Sequence, residues 1–464
     1  MAISALLNTA KDALLSHQMA IDVTGSNIAN VNTPGYARQR AVFKSLGAID
    51  VQSNVFQMGV DVTGVQRIYD NYLESQIIQQ NQLVGYNETR AGFLSNIETI
   101  FDESKGGGFA DLLSRFWGDW QELSANPDGQ VQRAALLSTA QSLAAMFRDM
   151  SSGLKTLIMN AEHEVSSTVT KINSIVSAIG DLNKRIVESG SAQGDANAMM
   201  DNRTELLKSL SNLVDINIVE ANDGSVKVFL ANGSLLVDGT MTKSLTLVPK
   251  ISDPTISDIV FADKKDDPIT ESITKGKLGA LINVRDKVVP GYINELDSLA
   301  SGIANEVNTI HQSGFDRYQN TGLNFFAPVT RAAYMQVNTE ISGDVNRIAA
   351  SSTVMGDGEQ ALRLAGLGEK GVLNGGLSTF SEYYTSIVGQ IGQDVSDSNW
   401  AVTHQNNVLE RLSNMRESVS GVSVDEEMVK LIKYQMGYNA AGKLVSIVEE
   451  MLDDLELGYA ITVH

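Results

Sequence analysis

Heptad repeats at both ends of the chain constrain its fold more than any other feature. Near the N-terminus, mostly apolar residues recur at alternating steps of four and three; they are Ile3, Leu7, Ala10, Leu14, His17, Ile21, Thr24 and Ile28. A similar C-terminal pattern runs through Val424, Met428, Leu431, Tyr434, Tyr438, Ala441, Val445, Val448, Leu452 and Leu455. Such spacing places the residues on one helix face and is typical of coiled coils. Because two helices alone bury little surface, we expect these ends to pack with each other and with neighbouring chains.

The two ends also carry opposite net charges. Residues 1–45 hold four basic and two acidic side chains, a net charge of +2, whereas residues 421–464 hold three lysines and eight acidic side chains, a net charge of −5. Exposed ion pairs contribute only about 0 to 1 kcal/mol each. The charges therefore favour pairing of the ends, and the apolar faces supply most of the affinity.

Between residues 212 and 274 the apolar period changes from that of a helix to two. Val214, Ile216 and Ile218 alternate with polar residues, and turn sequences such as Asn222–Gly224 and Asn232–Gly233 separate the runs. Alternation with tight Asn-Gly and Asp-Gly turns predicts antiparallel hairpins. Because helical patterns flank this stretch on both sides, it is predicted to be an inserted β domain.

The remaining chain is predicted to be largely helical. Pro34 and Gly35 end the first helix, and residues 36–67 have an extended pattern. Helical periods then cover residues 69–101, 158–186, 289–310 and 384–412, with shorter helices between Phe109 and Met150 that are broken at the turn Asn126–Gly129.

The sequence therefore predicts a mainly α fold with a β insertion, in three domains, two of which are discontinuous. Residues 1–72 with 421–464 form a terminal coiled-coil domain. Residues 73–211 with 276–420 form a middle bundle of long helices, and residues 212–275 form a small antiparallel β outer domain.

Composition narrows the classes of function. The formal net charge is −20, which disfavours nucleic acid and anionic membrane surfaces as partners, because both require clustered Lys and Arg. The chain has no cysteine, so disulfides and thiolate chemistry are excluded. No apolar run is long enough for membrane insertion, and the N-terminus lacks the features of a cleaved secretory signal.

No motif nominates a catalytic, cofactor-binding or metal-binding residue. The five histidines are far apart, Gly106–Gly108 lacks the Lys-Ser/Thr of a phosphate loop, and no Gly-x-Ser-x-Gly elbow occurs. Phe116, Trp117 and Trp120 follow helical spacing and are predicted to be core residues. We therefore expect no enzyme activity and no cofactor.

The segment Ser26-Asn-Ile-Ala-Asn-Val-Asn-Thr-Pro-Gly-Tyr-Ala-Arg-Gln39 resembles the N-terminal signature of the bacterial flagellar rod, hook and hook-associated proteins. The stretches Gly59–Gln76, Asp201–Val214 and Gly421–Ala441 resemble the hook–filament junction members of that family. The resemblance covers nearly the whole chain.

This resemblance implies a structural role and a layered plan similar to that of flagellin. Terminal helices would form an inner tube, a helical domain would surround it, and the inserted domain would face outward. The chain would leave the cell through the type III export apparatus with an export chaperone and without a cleaved signal peptide. It would self-assemble into an extracellular ring, with the hook protein below and a second junction protein above.

Two groups of site residues follow. For assembly through the inner coiled coil the sequence predicts Leu7, Leu14, Ile21, Ile28, Tyr438, Val445, Val448, Leu452 and Leu455. For the chain reversal of the family signature it predicts Asn30, Asn32, Thr33, Pro34, Gly35 and Tyr36.

Three alternatives remain open on the sequence. The chain resembles other axial parts, namely the hook and distal rod proteins, although we expect those to contain more β structure outside their ends. A flagellum-borne wall hydrolase or protease requires a catalytic pair or a metal, and none is nominated between residues 212 and 274. An adhesin role would belong to the outer β domain.

Overall fold

The computed structural model describes residues 2–51, 54–57, 59–103, 107–190, 194–352 and 357–461. The α-helices are α1 (Ala2–Ala29), α2 (Asn71–Ile100), α3 (Phe109–Ala125), α4 (Gln130–Ser189), α5 (Gly194–Leu213), α6 (Gly276–Asn283), α7 (Val289–His311), α8 (Thr339–Gly343), α9 (Glu359–Ala365), α10 (Phe380–Ser420) and α11 (Val424–Ile461). The strands are β1 (Gln39–Ser45), β2 (Ala48–Val51), β3 (Asn54–Gln57), β4 (Val60–Arg67), β5 (Ile216–Glu220), β6 (Val226–Leu230), β7 (Leu235–Asp238), β8 (Met241–Thr242), β9 (Leu245–Pro249) and β10 (Ser257–Phe261). The predicted mainly α fold with a β insertion is confirmed.

Local sequence signals set several of these helix ends. The Asp70 side chain accepts hydrogen bonds from the backbone N–H groups of Tyr72 and Leu73 and begins α2. Thr379 and Glu382 form a reciprocal capping box that begins α10. Each cap satisfies backbone donors that the first helical turn leaves unpaired.

One prediction about the helices is wrong. The shorter helix after the turn Asn126–Gly129 and the separate helix over residues 158–186 are a single helix, α4, of 60 residues. Gly153 lies inside it, although glycine within a helix costs about 1 kcal/mol relative to alanine. A methyl group at Gly153 would lie only 3.1 Å from Cδ1 of Ile100, so the glycine allows α2 to approach α4 closely. Tertiary packing thus outweighs the local preference for a break.

Two of the three aromatic residues of α3 that were predicted from their spacing to be core residues are buried, whereas Trp117 is partly buried and packs against the core. Phe116 and Trp120 are fully buried. The ring of Phe116 lies 6.0 Å from that of Phe325 and 5.8 Å from that of Phe326, between ring centroids. This cluster joins α3 to the irregular chain after α7.

The β insertion contains a four-stranded antiparallel sheet in the order β5-β6-β7-β8 and a separate β9–β10 hairpin. Gly224 and Gly233 have φ angles of 84° and 82° at two of its turns, a conformation that favours glycine. On α4, Asn183 donates to the carbonyls of Val226 and Gly239, at 2.9 and 2.7 Å. The strands therefore pack directly on the long helix.

His311 anchors the irregular segment that follows α7. It is fully buried; its Nδ1 lies 2.7 Å from the carbonyl oxygen of Leu323, and its Nε2 accepts a 2.9 Å hydrogen bond from the backbone N–H of Ala349. This pair of contacts fixes the proton on Nδ1 and requires a neutral ring. Burial lowers the pKa of His311 to about 4.

We expect the folded chain to lose stability in acid through His311. Protonation favours the unfolded chain, in which the ordinary pKa of about 6.5 applies. The stabilisation is therefore complete above pH 6.5 and is lost between pH 6.5 and about 4, by about 3 kcal/mol in total. Urea titrations across this pH range should show a smaller loss for His311→Gln than for the parent. An equal loss in both would contradict the assignment, and exposed His163→Gln serves as the matched control.

The joint of the terminal helices as a candidate assembly site

Helices α1 and α11 pack side by side and run antiparallel. The His17 ring lies 6.3 Å from that of Tyr434 and 6.4 Å from that of Phe43, between centroids. A methyl group on Gly437 would lie 2.5 Å from Nε2 of His17. The small residues Ala20 and Ala441 are also buried, and together with Gly437 they allow the two backbones to approach closely. Val448 is a larger apolar side chain that is fully buried on the same helix.

A β hairpin lies along the same helix pair. Strand β1 pairs with β4 in antiparallel register from Gln39 opposite Arg67 to Ser45 opposite Val60. The Ser16 hydroxyl donates a 3.0 Å hydrogen bond to the carbonyl of Val60. The predicted extended stretch after the signature is thus the third component of the terminal unit.

The signature residues form a compact turn at one end of this unit. The Asn30 side chain donates to the carbonyl of Ser26 at 2.9 Å, and the Thr33 hydroxyl donates to the Asn30 side chain at 3.2 Å. Asn32, Thr33 and Pro34 are exposed, and Asn30, Gly35 and Tyr36 are half-buried. Burial raises the pKa of Tyr36, so its hydroxyl remains a hydrogen-bond donor.

Replacing Gly35 with alanine is expected to destabilise this turn by about 1 to 3 kcal/mol. Gly35 has a φ of 79°, and an added methyl group would collide with the side chain of Glu205 on α5. The free energy of unfolding from urea titration measures the effect. Gly25→Ala is the matched control, since nothing lies near a methyl group at that position; equal effects of the two substitutions would refute the argument.

Arg416 connects the turn to the middle helices. Its guanidinium donates to the carbonyl of Gly35 at 2.8 Å and to the carboxylate of Glu74 on α2 at 3.0 Å. Glu74 is buried and also lies 3.1 Å from Nζ of Lys208 on α5. Burial alone would lower the pKa of Arg416, but the carboxylates of Glu74 and Glu417 raise it. One buried charge network thus joins α2, α5 and α10 to the terminal turn.

A second ion pair fixes the base of the hairpin. Arg67 at the end of β4 lies 2.6 Å from the carboxylate of Asp201 on α5. Asp201 also accepts a 3.3 Å hydrogen bond from the backbone N–H of Ala37. Burial raises the pKa of Asp201 despite the opposing effect of Arg67. This contact and the Arg416 network hold the terminal unit against the middle helices from two sides.

The residues predicted for assembly fall into different environments. Leu7, Leu14, Ile21 and Ile28 are half-buried along α1. On α11, Val448 is fully buried and Val445 is half-buried, whereas Tyr438 is 39% and Leu452 41% exposed. Leu455 belongs to α11, but its side chain lies outside the described part of the chain. Their role in assembly stays a prediction.

Helix α11 carries a second apolar stripe that the sequence reasoning missed. It follows the helix at steps of three and four beside the buried face, and comprises Val429, Ile432, Met436, Ala440, Leu444, Ile447 and Met451. All seven side chains are exposed, with Met436 at 64% and Ile447 at 50%. The signal was present in the sequence, because the helix is apolar on more than the single heptad face that was read. We call this set the outer stripe.

The polar residues of the joint were also missed. Asn27, Glu74, Asp201, Arg416 and Glu427 are polar residues, yet all five are buried. Their partners lie far away in sequence, by 342 residues for Arg416 and Glu74 and by 400 for Asn27 and Glu427. No periodicity connects such positions.

No cluster of three metal-ligating side chains occurs among the residues that the structure describes. Within the same residues, no helix is both long and apolar enough to span a bilayer. At the joint, a buried polar network holds an apolar helix face in place.

Comparison with known proteins first defines the class of protein to which the chain belongs. Residues 7–36 match the family model of the flagella basal body rod protein, and residues 416–456 match that of the flagellar basal body rod FlgEFG protein C-terminal region. These two segments are the ones that meet at the joint. The ends of the chain are therefore those of a bacterial flagellar axial protein.

The part between the ends identifies the family within that class. Residues 94–326 match the model of the flagellar hook-associated protein FlgK helical domain, and the chain belongs to this family. It is 29% identical over 500 residues to flagellar hook-associated protein 1 of Bacillus subtilis (strain 168), covering 98% of each chain. It is 24% identical to the protein of the same name from Salmonella typhimurium, covering 97% of this chain and 99% of the relative.

A solved structure supports the fold. The flagellar hook junction protein FlgK from Burkholderia pseudomallei superposes with a TM-score of 0.68 at 17% identity, and covers 75% of this chain and 100% of the solved one. At this identity the likeness concerns the architecture.

Proposed function

We propose that the protein is a structural component of the bacterial flagellum that joins the hook to the filament as a ring of identical copies. The observation that carries the proposal is the outer stripe of α11. It forms a continuous apolar face that the described part of the chain leaves uncovered. Extended apolar faces on soluble proteins mark interaction sites, and the family of the chain indicates that neighbouring axial subunits cover this one.

The proposed arrangement is layered. The terminal unit, residues 1–72 with 421–464, faces the axis; the helices of residues 73–211 with 276–420 surround it; and the β insertion of residues 212–275 faces outward. The buried core supports a separate terminal unit, since the main hydrophobic cluster begins at Ile78 and, among the residues whose burial the structure describes, includes none of α1 or α11. The same cluster continues into the β insertion through residues such as Val228.

The proposed partners follow from this placement. The ring contacts the hook protein on one side and a second junction protein on the other, and an export chaperone holds the chain before passage through the type III apparatus. The mature location is extracellular, at the hook–filament junction. The protein acts by packing and has no catalytic role.

Electron microscopy of isolated hook–basal bodies tests the proposal. A chain with an epitope tag in the turn between β9 and β10, next to the fully exposed Ile251, should be labelled at the distal end of the hook. A strain without the gene should grow hooks that carry no filament, and the tagged chain should restore filaments. Label along the rod or the filament, or normal filaments in the deletion strain, would contradict the proposal.

A further inference from the structure

We propose that the open edge of strand β5 binds an extended peptide segment, which adds a fifth strand to the sheet of the β insertion. The groove that receives the segment lies between β5 and helix α2. None of its lining residues that the structure describes belongs to α1 or α11. Peptide binding at this edge is a property of the single chain and does not rest on the proposed function.

Strand β5 forms one edge of the four-stranded sheet, where it pairs with β6. The backbone N–H of Ala221, just after β5, donates to the carbonyl of Ser225 at 2.9 Å, so the odd-numbered residues of β5 direct their backbone groups toward β6. The carbonyl of Ile216 points the other way and accepts a 2.8 Å hydrogen bond from the side chain of Gln82 on α2. Because these directions alternate along an antiparallel strand, the even-numbered residues of β5 face α2.

The backbone N–H and carbonyl groups of Ile218 and Glu220 therefore lie on the open edge, and they have no hydrogen-bond partner within the described part of the chain. Proteins often block such edges with proline, bulges or very short strands. The opposite edge strand, β8, has only two residues. Strand β5 has five residues and no proline, and its register with β6 contains no bulge. Its edge is thus available for the backbone of another strand.

A groove of about 300 Å³ runs along this edge. This volume is at the lower end of the range for ligand sites, so the groove fits a short segment of extended chain. Its apolar lining residues are the buried Ile78 and Leu207 and the half-buried Ile218. Alternate side chains of a strand point the same way, so every second side chain of the segment can pack on this apolar lining.

The wall on α2 carries a row of exposed polar side chains at four-residue spacing, formed by Asn71, Ser75 and Gln79. The helix rise separates successive members by about 6 Å, which is close to the spacing of about 6.7 Å between alternate residues of a strand. Their amide and hydroxyl groups can therefore bond to successive backbone groups on the far side of the added segment. The exposed carboxylate of Glu220 at the end of β5 favours lysine or arginine beside it. The matching partner is an extended peptide of alternating apolar and polar residues with basic ends.

Titration of a defined peptide with the full chain tests the proposal. The probe is Lys-Val-Thr-Val-Lys with one end carrying fluorescein and the other blocked, and fluorescence polarisation measures its binding. We expect saturable binding by the parent chain. Methylation of the two valine nitrogens keeps the side chains but removes backbone donors, so we expect the methylated peptide to bind about fivefold more weakly or worse.

Variants of the chain separate the strand edge from the charge beside it. E220P removes one outward N–H, and proline is tolerated on an edge strand in this orientation. E220Q loses the same charge but keeps the N–H, so it is the matched control. We expect E220P to bind the peptide about fivefold more weakly than E220Q, and E220Q to stay within about threefold of the parent.

A second pair of variants tests the groove without changing the strand. S75L places a larger side chain on the α2 wall, whereas S95L makes the same substitution at an exposed serine of α2 outside the groove. We expect S75L to weaken peptide binding and S95L to leave it unchanged. This pair decides the question if circular dichroism shows that E220P loses β structure.

The proposal is overturned if the parent chain shows no saturable binding, or if the methylated peptide binds as tightly as the unmodified one. Equal affinities of S75L and S95L, or of a folded E220P and E220Q, overturn it as well. All these outcomes concern the single chain in solution. They are distinguishable from failure of the proposed function, which is decided by the location of the tagged protein on the hook.

Discussion

Replacing Ile432, Met436 and Ile447 with aspartate is expected to abolish filament growth while the chain remains folded and exported. The three residues belong to the outer stripe and are 49%, 64% and 50% exposed, so charge at these positions is solvated in the free chain. Burial of an unpaired carboxylate against an apolar neighbour costs several kcal/mol, and each 1.4 kcal/mol is a factor of ten in affinity. Incorporation should therefore fall by about a hundredfold or more.

Swimming in soft agar and electron microscopy of hooks measure this effect, and the amount of chain in the medium separates export from assembly. The matched control places aspartate at Ile251 and Leu377, which are 100% and 86% exposed outside the terminal helices. The control should swim normally. Normal filaments in the triple variant would show that the outer stripe is free in the assembled flagellum.

Val448→Asp combined with Leu452→Asp is also expected to prevent incorporation, but by another route. Val448 is fully buried, on the same face of α11 as Gly437 and Ala441. A carboxylate there separates α11 from α1 before assembly, whereas the middle helices keep their own core. Circular dichroism should show partial loss of helix in this variant and none in the outer-stripe variant.

The second large effect is expected at Arg416. Replacing it with methionine leaves the buried Glu74 paired with Lys208 alone, so we expect a loss of about 2 to 3 kcal/mol, below the cost of a fully unpaired buried ion. It also removes the donor to the carbonyl of Gly35. We expect the free energy of unfolding to fall by that amount, as measured by urea titration.

Arg411→Met is the matched control, because Arg411 lies on the same helix and is exposed; its effect should stay below about 0.5 kcal/mol. The double variant with Glu74→Gln should lose less than the two single variants together, since the charge left behind is removed as well. Equal losses in R416M and R411M would show that the network contributes nothing to stability.

Much of the fold follows from sequence periodicity. Heptad spacing predicts α1 and α11, and alternation predicts the strand that contains Ile216 and Ile218. The break predicted near Met150 failed, because the preference of Gly153 against helix is local and small, whereas its contact with Ile100 is tertiary. Sequence alone gives no access to that contact.

The sequence predicts the turn of the candidate site, but it does not predict the buried polar contacts there. The backbone preferences of Pro34 and Gly35 predict a chain reversal. The role of Asn27, by contrast, is evident only in the structure, where its side chain is hydrogen-bonded to Gln39 and Glu427. Buried polar contacts of this kind arise from packing between distant segments. Sequence periodicity therefore does not reveal them, because it shows only that these residues are polar and lie on helices.

Electron cryomicroscopy of isolated hooks that end in the junction shows directly where the terminal helices lie and what covers them. We expect a ring of this chain at the hook tip, with α1 and α11 paired near the axis and the outer stripe, including Met436 and Ile447, buried against neighbouring subunits. A ring in which these side chains face solvent, or a junction that lacks the chain, would contradict it.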